Sequence, residues 1–161
     1  MKAIPYILYL FLLTFHDTIL VELISIKGVV IDITILLVVL VSMYKSEEES
    51  LWFGFMAGLV TGAMDISTMP VQIVTIVIIA TLANQMAVRI NLESIISRVI
   101  ILSSAVVVHK IVMTLTVSGT EFFYILITSV LPAAVYTLIV GLIYFMLKDG
   151  RITWQKVKAL F

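Results

Sequence analysis

The sequence contains no cysteine. Disulfides, thiolate metal sites and thiol catalysis are therefore excluded, while nothing follows about compartment. Charge is scarce as well: 12% of the residues are Asp, Glu, Lys or Arg, about half of the roughly 25% usual in soluble domains. Ten basic and ten acidic residues cancel to a formal net charge of zero, so only their placement is informative. The two histidines lie in different segments and no ligand spacing recurs, which gives no metal site. No Ser-His-Asp arrangement, GxSxG motif or glycine-rich phosphate loop occurs, so neither a catalytic constellation nor a cofactor site is legible. Repeats of fixed period and low-complexity segments are also missing.

What is present is apolar. Hydrophobic residues make up 62% of the 161 positions, and the mean hydropathy is +1.22. A soluble globule of this length cannot cover that much apolar surface, so lipid must solvate most of it. At about 20 residues per crossing, the stock suffices for five or six transmembrane helices and little else. A soluble enzyme, a nucleic-acid binder and a sizeable extramembrane domain are excluded.

Six apolar segments stand out, at about 4–23, 29–44, 51–66, 70–87, 99–117 and 122–147. The first has one basic residue ahead of it and no small-x-small cleavage site, so it reads as a retained helix rather than a signal peptide. Asp32 interrupts the second. Between the second and third, Lys45-Ser46-Glu47-Glu48-Glu49-Ser50 is the most polar stretch and reads as a loop. Pro70 disfavours helix at Met69 and suits a first helical turn. Runs such as Ile33-Thr34-Ile35-Leu36-Leu37-Val38-Val39-Leu40-Val41 do not alternate as membrane-barrel strands do. The expected fold is all-α, one compact bundle of six transmembrane helices, with Val39 facing lipid. Lys2, Lys45, Arg89, Arg98, Lys148, Arg151, Lys156 and Lys158 then fall on one side and Lys27 alone on the other, with Lys110 inside the fifth span. That asymmetry places both termini in the cytoplasm.

The sharpest local pattern is Gly54-Phe55-Met56-Ala57-Gly58-Leu59-Val60-Thr61-Gly62, followed by Asp65. Glycines at i, i+4 and i+8 stay near one side of a helix and form a shallow groove about 12 Å long. Facing lipid, that groove would keep glycine's entropic cost without packing in return. Against a helix it allows close backbone approach, a main source of helix association in lipid. Two uses stay open: packing within the chain, the commoner use of such a stripe, and a docking face for a partner helix.

Ionisable residues inside spans are costly and mark functional candidates. Here they are His16 and Asp17 in the first span and His109 and Lys110 in the fifth. Counted from Lys2 and Arg98 at about 1.5 Å per residue, Asp17 and Lys110 lie about 22 Å and 18 Å deep. At these matched levels they are expected to pair and fix helix register, with a proton or ion relay through His16 and His109 as the alternative. Pro132 can kink the sixth span, but no matched pair of interrupted helices, the usual transporter signature, is legible. Glu22, Asp32, Asp65 and Glu121 fall near outer helix ends and read as hydrated interface residues. Asp149-Gly150 ends the sixth helix. Beyond it Trp154, Val157, Leu160 and Phe161 share one helical face, and Arg151, Lys156 and Lys158 are basic. This suits a short amphipathic helix on anionic lipid, with contact to a cytoplasmic partner as the alternative.

Over nearly its whole length the chain resembles the MreD family of rod-shape-determining membrane proteins. The most specific part is the third span, where the family has Gly-Phe-x-x-Gly-Leu with an aspartate at the helix end. Here that reads Gly54-Phe55-Met56-Ala57-Gly58-Leu59 with Asp65 beyond. Gly62 stands where the family's aspartate is expected. Ile31-Asp32 keeps the aspartate, though not the proline, of the family's Pro-Asp entry to the second span. The resemblance implies a non-enzymatic, cofactor-free scaffold of the bacterial inner membrane, acting in cell elongation, peptidoglycan synthesis and cell shape. Its implied partners are an MreC-like single-span protein, RodA and a class B penicillin-binding protein, with no nucleic acid. The competing class is the six-helix substrate-binding component of a vitamin-type transporter, which needs a pocket with several convergent polar residues.

Overall fold

Six helical segments follow one another among the described residues. They are α1 (Ile4–Phe15), which runs on into a π-helical turn (His16–Leu20), α2 (Ile33–Tyr44), α3 (Glu47–Gly62), α4 (Met69–Arg89), α5 (Ile95–Val117) and α6 (Phe122–Lys148). Within α6, a π-helical turn (Leu126–Val130) precedes the main α-helical part (Leu131–Lys148). This computed structural model describes residues 4–20, 25, 29–90, 92–117 and 122–150. No strand occurs among the described residues.

Helix α2 organises the rest. Its sequence, ITILLVVLVSMY, has no polar face, and a helix apolar on every side belongs in an interior. Residues Thr34 to Val39 are all buried, and α2 touches each of the other five helices. Val39 is therefore completely buried rather than lipid-facing. An all-apolar helix carries no periodicity that tells a protein-facing side from a lipid-facing one.

Helices α4, α5 and α6 are long and apolar enough to cross a membrane, whereas α1 and α2 are apolar but shorter. Of the six spanning helices expected from sequence, the described residues show six helical segments, three of them of spanning length. The boundaries explain the difference. Asp32 caps α2, so that helix starts at Ile33 and not near Val29. The polar stretch at 45–50 is not all loop: Glu47, Glu48 and Glu49 form the first turn of α3. Ser46 Oγ accepts from the Glu49 backbone N–H, and Glu49 Oε2 accepts from the Ser46 N–H, a reciprocal cap that carboxylates near a helix N-terminus favour. At the other end α3 stops at Gly62, short of Ile66. Helix α4 begins at Met69 with Pro70 in its first turn, and α5 begins early enough to include Arg98.

Helices α3 and α4 pack antiparallel through the glycine stripe. A methyl group built on Gly54 would lie 2.9 Å from Ala80 Cβ, on Gly58 2.8 Å from Ile73 Cα, and on Gly62 3.1 Å from Met69 Cα. Glycine is required at Gly58 because backbone, not a movable side chain, occupies the space. At the opposite end of the bundle from Asp32, two polar ties hold helix ends. Asn84 of α4 donates to the carbonyls of Ser42 and Lys45 at 2.8 and 2.9 Å, satisfying carbonyls at the C-terminus of α2 that no helical N–H reaches. Arg98 of α5 grips Asp149 with two bonds of 2.8 and 2.6 Å and lies over the Phe145 ring.

Candidate functional site: a buried polar cluster at one end of the bundle

The chain enters α2 through Asp32, whose Oδ1 accepts the Ile35 backbone N–H at 3.1 Å. An aspartate at this position satisfies one of the free donors of the first helical turn. The Asp32 N–H donates to Thr137 Oγ1 of α6 at 2.9 Å, and the Thr137 hydroxyl donates onward to the Ala133 carbonyl at 2.8 Å. Asp32 Oδ2 faces α5, where His109 Nδ1 lies at 2.8 Å and Lys110 Nζ at 3.1 Å. One residue therefore ties three helices together. Asp32 is 7% exposed, and at that depth a carboxylate needs paired charge and hydrogen bonds together.

A carboxylate only accepts, so His109 donates from Nδ1. Its Nε2 is buried and makes no hydrogen bond among the described residues. Lys110 keeps more contact with the surroundings, its side chain being 27% exposed. Beside the cluster opens a cavity of about 310 Å³, lined by Asp32, His109 and Lys110 together with His16, Thr61 and Gln72. His16 is the first residue of the π-helical turn that ends α1. Such turns recur at functional sites because the extra residue per turn redirects a side chain. The cluster can pass a proton between His109 and Asp32, or offer the Lys110 ammonium and imidazole groups to a polar ligand.

Of the residues singled out from sequence, His16, His109 and Lys110 thus meet around one cavity. Their organiser is Asp32, which is buried and not a hydrated interface residue. The expected partner of Lys110 was Asp17, whose side chain lies outside the described residues; the ammonium sits on Asp32. Gly54, Gly58 and Gly62 face α4 of the same chain. Phe55 points away from that contact, exposed and edge-on to Trp52 with ring centroids 6.3 Å apart. Asp65 lies in the α3–α4 connection. It accepts from the Ser67 N–H and hydroxyl at 3.1 and 2.6 Å and from the Thr68 hydroxyl at 3.0 Å. Those bonds, Ser67's first, hold its carboxyl below the usual carboxylate range. Arg151, Trp154, Lys156 and Lys158 lie outside the described residues, as does Glu121.

Thr137, Asn84 and the Arg98–Asp149 pair were not anticipated. A signal existed for Asn84, a lone amide in an otherwise apolar run, which in lipid needs an internal partner. Pro132 follows the π-helical turn of α6, whose wider hydrogen bonding, Leu131 N–H to the Leu126 carbonyl, lets the helix continue past a residue without an N–H. The π-helical turn at the end of α1 terminates that helix among the described residues, so α6 alone carries an internal π-turn.

Fold and composition define the class: an all-helical membrane protein with at least three helices of spanning length among the described residues. No protein-family model, curated protein or solved structure matches the chain.

Proposed function

We propose that the chain is a multi-pass scaffold of the MreD kind in the bacterial inner membrane, crossing it six times with both termini in the cytoplasm. It binds an MreC-like single-span protein and, through it, supports the RodA and class B penicillin-binding protein machinery of peptidoglycan synthesis. It performs no catalysis of its own.

The observation that carries this reading is the fate of the buried charges. Asp32 and Arg98 are both engaged by side chains of neighbouring helices of the same chain, so they act as ties within a frame. What the frame turns outward is apolar: Leu8 and Phe11 on α1 and Phe123 and Ile127 on α6 are exposed. Faces of this kind take lipid or a partner helix. The Gly-Phe-x-x-Gly-Leu stretch and the one-sided basic residues add to the reading. Capture of the tagged chain from membranes of its source, with the bound proteins identified, is the test. The expected companion is a single-span protein with a coiled coil and a large outer domain.

One observation favours a second reading, the substrate-binding component of a vitamin-type transporter: the cavity of about 310 Å³ where His16, His109 and Lys110 converge. Recovery of an ATPase-linked transporter module in the same capture, or a vitamin-sized compound retained through purification, selects that reading instead.

A further inference from the structure

A second cavity lies at the opposite end of the bundle. It occupies about 260 Å³ between α1, α2 and α6, with Tyr9, Tyr44, Tyr144, Lys45 and Lys148 among its lining and Leu40 deeper along α2. Helices α2 and α6 both end here, Lys45 following directly on α2 and Lys148 being the last residue of α6. The polar stretch that starts at Lys45 begins at this level. Lys148 Nζ stands 3.0 Å from the centroid of the Tyr44 ring, a cation–π contact that holds the ammonium over the groove. No carboxylate is among the groups lining this cavity. Asp149, next to Lys148, is gripped by Arg98, and Glu49, the acid whose charge Lys45 feels, lies outside the lining and accepts from the Ser46 N–H.

Groups in this order match one kind of molecule. Two ammonium groups without a lining counter-charge suit a phosphate, and three tyrosines at a helix-end level suit a headgroup region, where amphipathic rings collect. The leucine-lined floor suits an acyl chain. Basic pockets between transmembrane helices bind anionic lipid headgroups for the same reasons.

We infer that the groove between α1, α2 and α6 is a binding site for an anionic phospholipid, with its phosphate between Lys45 and Lys148 and an acyl chain along Leu40. The site requires only that the helices sit in a bilayer. It does not depend on the scaffold reading, so failure of one leaves the other standing.

The test uses the full chain purified in neutral detergent, titrated with phosphatidylglycerol or phosphatidylcholine and followed by native mass spectrometry and by thermal midpoint. Phosphatidylglycerol should bind in preference and raise the midpoint. In Lys45→Gln/Lys148→Gln its affinity should fall roughly thirtyfold, from about 1 kcal/mol per basic residue near an anionic surface and 1.4 kcal/mol per tenfold. Lys45→Arg/Lys148→Arg should keep the preference, as should the tail variant Lys156→Gln/Lys158→Gln. Should the glutamine pair fail to fold, the wild-type preference for phosphatidylglycerol and its retention in the tail variant still decide. Equal response to phosphatidylcholine overturns the proposal. So does a tail variant as damaging as the glutamine pair, or an equal midpoint shift with inorganic phosphate alone, which would mark a free-anion site.

Discussion

Asp32 caps one helix and neutralises another, and the two tasks set different penalties for its partners. Lys110→Met leaves a carboxylate at 5% side-chain exposure with the His109 ring as its remaining side-chain partner from α5. The loss should approach the upper part of the 3–5 kcal/mol typical of a broken buried pair. Asp32→Asn keeps a capping oxygen and leaves Lys110, which is partly exposed and can turn its ammonium toward water. That variant should lose less, about 2–3 kcal/mol. The double variant should cost clearly less than the two singles added, because it buries no unpaired charge. Denaturation in detergent of the three proteins measures this; strict additivity would show that the two side chains do not interact. Asp65 carries a milder, pH-linked effect. Its folded carboxyl is held low by Ser67 and Thr68. Its contribution to ordering the α3–α4 connection is therefore complete above the unfolded value of about 3.9 and is lost as pH falls through the folded value. Proteolysis of this connection should accelerate over that acid range in the wild type and show no such dependence in Asp65→Asn.

At the scale of the helix, the contrast between two buried glycines is the clearest guide. A methyl group on Gly58 meets the backbone of Ile73, whereas on Gly141 its nearest neighbours are the flexible ends of Leu102 and Leu36. Gly58→Ala must push α3 and α4 apart and should cost about 1–3 kcal/mol, as overpacked cores do. Gly141→Ala should cost less, since a leucine can change rotamer. Val74→Leu, on an exposed part of α4, should leave the thermal midpoint unchanged; equal midpoints for all three would mean that the stripe faces lipid. The stripe was legible in sequence because glycine spacing encodes a close approach directly. Its occupant was not, since any apolar helix fits. The same limit explains Val39 and Asp32. An apolar helix hides its central position, and a single carboxylate at a helix start reads alike whether water or a histidine lies beyond it. Helix existence was legible throughout from the apolar runs. Boundaries shifted wherever a cap, Asp32 or Ser46 with Glu49, decided the first turn.

At the scale of the whole molecule, the short helices decide how many times the proposed scaffold crosses the bilayer. Helices α2 and α3, with 12 and 16 residues, are about 18 and 24 Å long at 1.5 Å per residue. The hydrocarbon core is about 30 Å thick. Helix α2 is buried among the others and can rely on them. To cross, helix α3 would need local thinning of the bilayer at a modest cost per ångström. If both cross, the connection before α3 and the one after it lie on opposite sides of the membrane.

The chain's lack of cysteine makes that claim directly measurable. Glu48 and Ser67 are exposed, one at each end of α3. Glu48→Cys and Ser67→Cys each introduce a lone thiol, to be probed in intact cells with a membrane-impermeant maleimide. The six-crossing account predicts that Ser67→Cys is labelled from outside and Glu48→Cys only after the membrane is opened. Labelling of both from the same side would show that α3 does not cross, and the account would fail.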